Sequence, residues 1–155
     1  MLVDNETIGI NTDNALECLV YPGRLAQVVS TLSSAVNTGS TGIPLDDTIP
    51  QITEGDEYMT CTITPRKAGS QLVIQATGFF SPSSAATLTM ALFQDAIVNA
   101  LAAVGTTQST AGGTSNMTME YVMIAGTTSA TTFRIRASTN SGTLSFNGVG
   151  GTRRF

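Results

Sequence analysis

The sequence predicts an all-β domain, and three observations lead to that prediction. Among 155 residues, 25 are Thr and 15 are Gly, whereas only 12% are charged. β-Branched residues favour strands, and Gly favours the turns between strands. From Ile49 onward, short runs alternate apolar and polar residues, which is typical of strands that bury one face. Strands at this spacing predict an antiparallel β-sandwich or jelly roll, and the length suffices for one hydrophobic core.

The N-terminal part of the chain is predicted to be partly helical. Residues 13–36 are compatible with helix, although Pro22-Gly23 interrupts the pattern. Within residues 24–36 the apolar side chains recur at helical spacing, so a helix would carry on one face Leu25, Val28, Val29, Leu32 and Val36. A helix this short is only marginally stable in water. We therefore expect this face to pack on its own domain, on copies of itself, or on another protein.

A change in composition divides the chain near residue 45. Residues 37–47 read NTGSTGIPLDD, which predicts a linker. Nine of the eleven acidic residues fall within residues 1–58, whereas six of the seven basic residues follow them. This asymmetry indicates two regions with different roles. We expect residues 1–42 to form an N-terminal anchor or stem with its linker, and residues 43–155 to form a β head domain.

The second region carries six strand patterns, at residues 59–64, 72–80, 88–92, 117–123, 131–138 and 144–146. Residues 72–80 are apolar nearly throughout, which predicts a strand buried on both faces. Residues 96–104 stay ambiguous, because their Ala content favours helix while their length fits a strand. Residues 81–86 and 106–115 are rich in Ser, Thr or Gly, which predicts loops.

Residues suited to catalysis or metal binding are scarce. The chain has no His, which excludes a Ser-His-Asp triad and a histidine metal site, and two Cys cannot form a structural zinc site. The acidic pairs at 46–47 and 56–57 flank turns without the spacing of a calcium loop. After residue 58 only Asp95 and Glu120 could serve a glycosidase. We therefore expect no enzyme activity, no metal and no cofactor.

The same inventory limits the partners. No apolar run reaches the roughly 18 residues of a transmembrane span, and the N-terminus lacks the pattern of a signal peptide. The six basic residues after position 58 come without clustered aromatic residues, which gives little support for nucleic-acid binding. We expect no membrane insertion, no nucleic-acid partner and no export from the cytoplasm.

Two arginines, Arg134 and Arg136, share one face of a predicted strand. They belong either to a solvated outer face or to a contact between subunits. In the second case each would pair with a carboxylate of a neighbouring copy, such as Asp95 or Glu120. Both alternatives remain open from the sequence.

Several short motifs follow one another after residue 42. They are IPLDDTIPQ at 43–51, TEG at 53–55, ITP at 63–65, ALFQD at 91–95, AGTT at 125–128, TFRIR at 132–136, NG at 147–148 and RRF at 153–155. In this order they resemble a C-terminal domain of tail-fibre and other appendage proteins of tailed bacteriophages. The resemblance covers about residues 43–155. It implies an antiparallel jelly roll similar to C1q- and tumour-necrosis-factor-like heads, assembled as a homotrimer on a virion.

The resemblance also implies a function. We expect a structural virion protein. Because only about 42 residues precede the head, it would be a short fibre or spike, a head fibre or a capsid decoration protein. Residues 1–42 would anchor the head to other virion proteins. The apolar face of residues 24–36 would either form a three-helix stem or dock onto another virion protein. Residues 81–86 and 106–115 would contact a host-surface glycan or protein. A dedicated lectin-like receptor-binding module is the alternative.

Overall fold

A computed structural model describes residues 25–152, and within them the chain is all-β, as predicted. There are eight strands: β1 (Asn37–Gly39), β2 (Asp56–Ile63), β3 (Gln71–Pro82), β4 (Ala86–Gln94), β5 (Ala102–Gln108), β6 (Ser115–Ile124), β7 (Thr131–Thr139) and β8 (Leu144–Phe146). They form two four-stranded sheets with the orders β1-β8-β3-β6 and β2-β7-β4-β5. Every pairing is antiparallel. The architecture is a β-sandwich.

The core lies between the two sheets and follows the period of two. On β4 the side chains of Leu88, Met90 and Leu92 are almost fully buried. Tyr58 and the rings of Phe80 and Phe146 pack together at one end, with centroid distances of 5.2 to 6.0 Å. Burying each such side chain contributes about 1.5–3 kcal/mol. This core holds the two sheets together.

One glycine is required by this aromatic cluster. A Cβ atom at Gly78 would lie 2.5 Å from the ring of Phe80 and 3.3 Å from that of Phe146. No real side chain tolerates the first contact, so only glycine lets the Phe80 ring fold back over β3. Packing of the Phe80 ring in the core therefore requires that residue 78 of β3 has no side chain.

A second, smaller core covers the outer face of the β2-β7-β4-β5 sheet. Ala91 and Phe93 point outward from β4, yet both are fully buried beneath Ile43, with Ile52 and Ala100 at the margin. Backbone hydrogen bonds hold the covering segments together: Gly55 N–H donates to Gly42 O, and Ala100 N–H donates to Pro50 O. β4 is consequently buried on both faces, whereas the sequence predicted only one apolar face for it.

The predicted helix over residues 24–36 does not form in its described part. Residues 25–36 contain neither helix nor strand, and no helix occurs anywhere in residues 25–152. The carbonyls of Ser33 and Ala35 accept hydrogen bonds from Asn147 Nδ2, so tertiary contacts replace bonds within a helix. The helical pattern of residues 13–23 and Arg24 lies outside the described residues. Since no helix is present in residues 25–152, none there could span a bilayer.

Three further predictions change. Within the predicted linker, residues 37–39 form β1 and pair with β8. Residues 96–101 form a turn and loop, and residues 102–108 form β5, so the ambiguous segment 96–104 is neither a helix nor one strand, and only residues 102–104 of it are in a strand. The predicted strand 72–80 is not buried on both faces, because its odd-numbered side chains from Gln71 to Thr77 face solvent.

Tyr58 carries a buried hydroxyl that has no hydrogen-bond partner among the described residues. The Tyr58→Phe substitution removes this hydroxyl. It is expected to raise the free energy of unfolding by about 1 kcal/mol, because the buried polar group without a partner is gone. Burial, and then the charge of Asp56, raise the pKa of this hydroxyl above 10.0. Equilibrium denaturation at neutral pH measures the gain, and an unchanged or lower stability would contradict it.

The same pKa shift predicts a loss of stability in alkali. Above about pH 10 the unfolded chain releases the Tyr58 proton while the folded chain retains it, so deprotonation favours unfolding. The free energy of unfolding should fall with pH by at most about 1.4 kcal/mol per unit from this group. The advantage of Tyr58→Phe over the wild type should therefore grow between about pH 9 and pH 11.

Candidate functional site

The two predicted arginines lie side by side on the outer face of β7. Arg134 Nη1 is 3.3 Å from Glu57 Oε2, and Arg136 Nη1 is 3.6 Å from the same oxygen. All three side chains are partly exposed to solvent, so each ion pair contributes less than about 1 kcal/mol.

The backbone contacts of these arginines matter more than their ion pairs. Arg136 donates from Nε to Glu54 O at 2.8 Å and from Nη2 to Gly55 O at 2.6 Å. Arg134 donates from Nε to Asp95 O at 3.1 Å. The two side chains thus clamp the segments that cover the second core. The planar guanidinium, with several donors in a fixed fork, suits this task.

The carboxylates expected from a neighbouring copy have other partners. Arg134 donates a hydrogen bond to the backbone oxygen of Asp95 in its own chain. The side-chain Oδ1 of Asp95 accepts a hydrogen bond from Thr132 N–H. Glu120 lies on the other sheet, where Gln75 Nε2 donates to it at 2.6 Å. A role for the arginines between subunits stays a prediction.

The five apolar residues predicted for a helix face lie on an extended segment. Leu25, Val28 and Leu32 are 75%, 69% and 94% exposed, Val29 is also exposed, and Val36 is half-buried. Three of them, Leu25, Val28 and Val29, line a groove of about 380 Å³ that also contacts β2 and β3. Its floor includes Ile63, Leu72 and Ile74.

This groove continues onto an exposed apolar sheet face. Val73 lines the groove and lies directly opposite Val122 on β6, and Ile124 follows two residues later on the same face. All three are exposed. We name the set Leu25, Val28, Val29, Val73, Val122 and Ile124 the apolar surface. The sequence analysis missed the β6 part of this surface. Val122 and Ile124 lie on the face of β6 opposite to Met117 and Met119, where an alternating strand should carry polar residues.

A second depression, of about 480 Å³, lies between residues 40–45 and residues 139–142. We name it the loop depression. No ionisable residue lines it. Its 139–142 wall is fixed by hydrogen bonds: Thr139 Oγ1 donates to Ser141 O, Ser84 Oγ donates to the same oxygen, and Thr87 N–H donates to Asn140 Oδ1.

The loops predicted for contact gather at the same end of the sandwich. Ser83 N–H donates to Thr143 O, and Gly112 N–H donates to Pro82 O, each at 2.8 Å. The β3–β4, β5–β6 and β7–β8 connections are therefore neighbours. The sequence predicted the first two as contact loops and did not single out the third.

Nothing in residues 25–152 gathers three or more metal-ligating side chains. The hydroxyl of Thr48 and then its N–H donate to Asp46 Oδ1 and lower the pKa of that exposed carboxyl. Both carboxylate oxygens of Asp56 accept from Thr41. Asp46 and Asp56 therefore stabilise turns. The free thiol of Cys61 belongs to a residue that lines the groove beside β2 and β3.

Comparisons with known proteins find matches among solved structures. No family model matches the chain, and no curated protein matches it. Among solved structures, the enzymatically active domain of tailspike protein 4 from bacteriophage CBA120 is similar over 79% of this chain and 17% of that chain. The identity is 20% and the TM-score is 0.29. A score this low does not establish a shared fold.

Proposed function

We propose that this chain is a structural virion protein of a tailed bacteriophage, a homotrimeric fibre, spike or capsid decoration protein that projects a jelly-roll head. The motif order over residues 43–155, which resembles appendage proteins of such phages, supports the assignment. The β-sandwich is the architecture that this resemblance implies. The protein is made in the host cytoplasm and resides in the virion.

The strand pairings support the jelly roll. β1 pairs with β8, β2 with β7, β3 with β6, and β4 with β5. These four pairs are those of one long hairpin of eight strands. The further pairs β3 with β8 and β4 with β7 join when such a hairpin rolls up into two sheets.

The observation that carries the assembly proposal is the apolar surface. Monomeric proteins rarely expose a continuous apolar patch larger than a few hundred Å², and such larger patches mark interaction sites. Here the groove and the β3-β6 face carry six exposed apolar side chains, and the charge of Glu120 lies at the margin. In a ring of three copies the same surface can be buried at each contact.

The mass of the purified protein in solution tests this proposal. Three chains of 16.1 kDa make about 48 kDa. We expect light scattering to give that mass at two concentrations that differ about tenfold, because a trimer tight enough for a virion should not dissociate on dilution. A mass of one chain at both concentrations would contradict the homotrimer.

Two roles follow for the ends of the molecule. We assign residues 1–42, apart from β1 and the side chains of the apolar surface, to contacts with other virion proteins, and the loop end of the sandwich to a host-surface glycan or protein. The clustering of three loops at one end favours attachment, and it keeps open the alternative of a dedicated lectin-like receptor-binding module. Binding of the purified chain to host cells separates these functions, because a purely structural protein would bind the particle alone. We assign no catalytic role to any residue.

A further inference from the structure

We propose that the loop depression is a binding site for one neutral pyranose unit. The inference rests on the proposed attachment function and names the ligand class and the site. The depression holds about 480 Å³, within the range of about 300–1,000 Å³ typical of small-molecule sites. Its location differs from the loops that the sequence predicted for contact.

The two walls differ in chemistry. On one side, Leu45 is 56% exposed and stands next to the exposed Pro44, so these two residues give the wall an apolar part beside Ser40. On the other side, residues 139–142 present amide and hydroxyl groups. A pyranose has an apolar C–H face and a rim of hydroxyl groups, so it matches both walls at once.

One amide is free to recognise a hydroxyl group. Asn140 Oδ1 accepts from Thr87 N–H at 2.9 Å, which fixes the side chain. Its Nδ2 group has no hydrogen-bond partner in the described part of the chain, so Asn140, which lines the depression, keeps a donor for a ligand. The Ser141 hydroxyl lies 3.2 Å from Ser84 Oγ, whose proton goes to Ser141 O at 2.9 Å, and its own proton can be donated to a ligand.

The wall is preorganised, so little ordering accompanies binding. Gly142 has a φ of +76°, and a Cβ there would collide with Ser83 Oγ, so the turn permits no ordinary side chain. Across the depression, Ile43 is buried in the second core and fixes the start of the apolar wall. Fixed walls lower the entropic cost of binding.

The charges nearby select against acidic sugars. No ionisable group lines the depression, and the exposed carboxyls of Asp46 and Asp47 follow Leu45 directly. An anionic saccharide would meet these charges without a cationic partner. The class of ligand is therefore a neutral pyranoside.

Saturation-transfer NMR on the full chain tests the site. The probes are methyl pyranosides of glucose, galactose, mannose, N-acetylglucosamine, rhamnose and fucose. We expect at least one to give a saturable signal. Asn140→Asp keeps the oxygen that accepts from Thr87 but removes the Nδ2 donor, and should weaken binding about tenfold. Leu45→Ser, which removes the apolar wall at an exposed position, should weaken it similarly.

Ser129→Ala is the matched control, since it removes a hydroxyl from the exposed β6–β7 loop, outside the loops assigned to contact, and should leave binding unchanged. Absence of a saturable signal from every pyranoside would overturn the site. So would binding that both depression variants retain at wild-type strength.

Light scattering on the same samples separates this failure from failure of the proposed function. A trimer that binds cells but no pyranoside contradicts only the ligand assignment. A monomer that binds pyranosides through Asn140 contradicts only the assembly.

Discussion

Val122→Glu is expected to convert the assembled protein into a folded monomer. Val122 is exposed on β6 of the single chain and belongs to the apolar surface, so the substitution leaves the core between the sheets untouched. In the trimer that we propose, each contact would bury an unpaired carboxylate close to Glu120. Such a buried charge costs about 3–5 kcal/mol at each of the contacts, more than a subunit interface can lose without dissociating.

Light scattering should then give the 16.1 kDa of one chain, with an unchanged circular dichroism spectrum. Thr60→Glu is the matched control, because Thr60 is also an exposed strand residue, lies on the other sheet and is paired with Arg134. It should remain trimeric. A trimeric Val122→Glu protein, or a monomeric Thr60→Glu protein, would place the subunit contact elsewhere.

Phe93→Ala is expected to cause a large loss of stability, about 3–5 kcal/mol. Phe93 is fully buried in the second core, where it supports Ile43 and thereby the apolar wall of the loop depression. Its removal leaves a cavity beneath a covering segment held by few backbone hydrogen bonds. We expect that segment to open more easily than the sandwich itself.

Denaturant unfolding measures the total loss, and hydrogen exchange locates it. The Gly55 amide, which donates to Gly42 O at 3.1 Å, should exchange faster by a larger factor than amides of β3. Phe93→Leu, which preserves most of the apolar volume, should cost about 1–1.5 kcal/mol and leave that amide protected. A Phe93→Ala protein that loses less than about 1 kcal/mol would show that the second core contributes little.

The alternation of apolar and polar residues was sufficient to predict the strands that have one face in contact with solvent. The alternating residues of β6 place Met117 and Met119 in the core, and those of β7 do so for Phe133 and Ile135. A period of two specifies which side faces inward, and turn residues specify where the chain reverses. For these strands the sequence contains all the information that the prediction needs.

Pattern was insufficient where distant segments decide burial. Phe93 and Ala91 look like the solvent side of β4, but residues 40–55 fold back over them. The roles of Arg134 and Arg136 depend on the same long-range cover, because their acceptors are carbonyls of Asp95, Glu54 and Gly55. Periodicity within β4 or β7 carries no information about a loop that returns from elsewhere in the chain.

The helical prediction failed for a related reason. Apolar spacing at 25, 28, 29 and 32 fits a helix, but a helix of that length needs a packing partner to be stable. In the single chain the segment instead passes the groove and reaches Asn147, whose side-chain amide holds the carbonyls of Ser33 and Ala35. The loop depression was missed because its two walls are about 95 residues apart.

The bonds from Asn147 to Ser33 and Ala35 also have a consequence for modularity. They tie the segment that leads into the sandwich to the segment that follows β8, so the chain comes in and goes out side by side. A unit whose two connections are adjacent can be inserted into a loop of another protein without stretching its host. Recombination or engineering can thus move this sandwich as one unit, provided that the hydrogen bonds from Asn147 to Ser33 and Ala35 are kept.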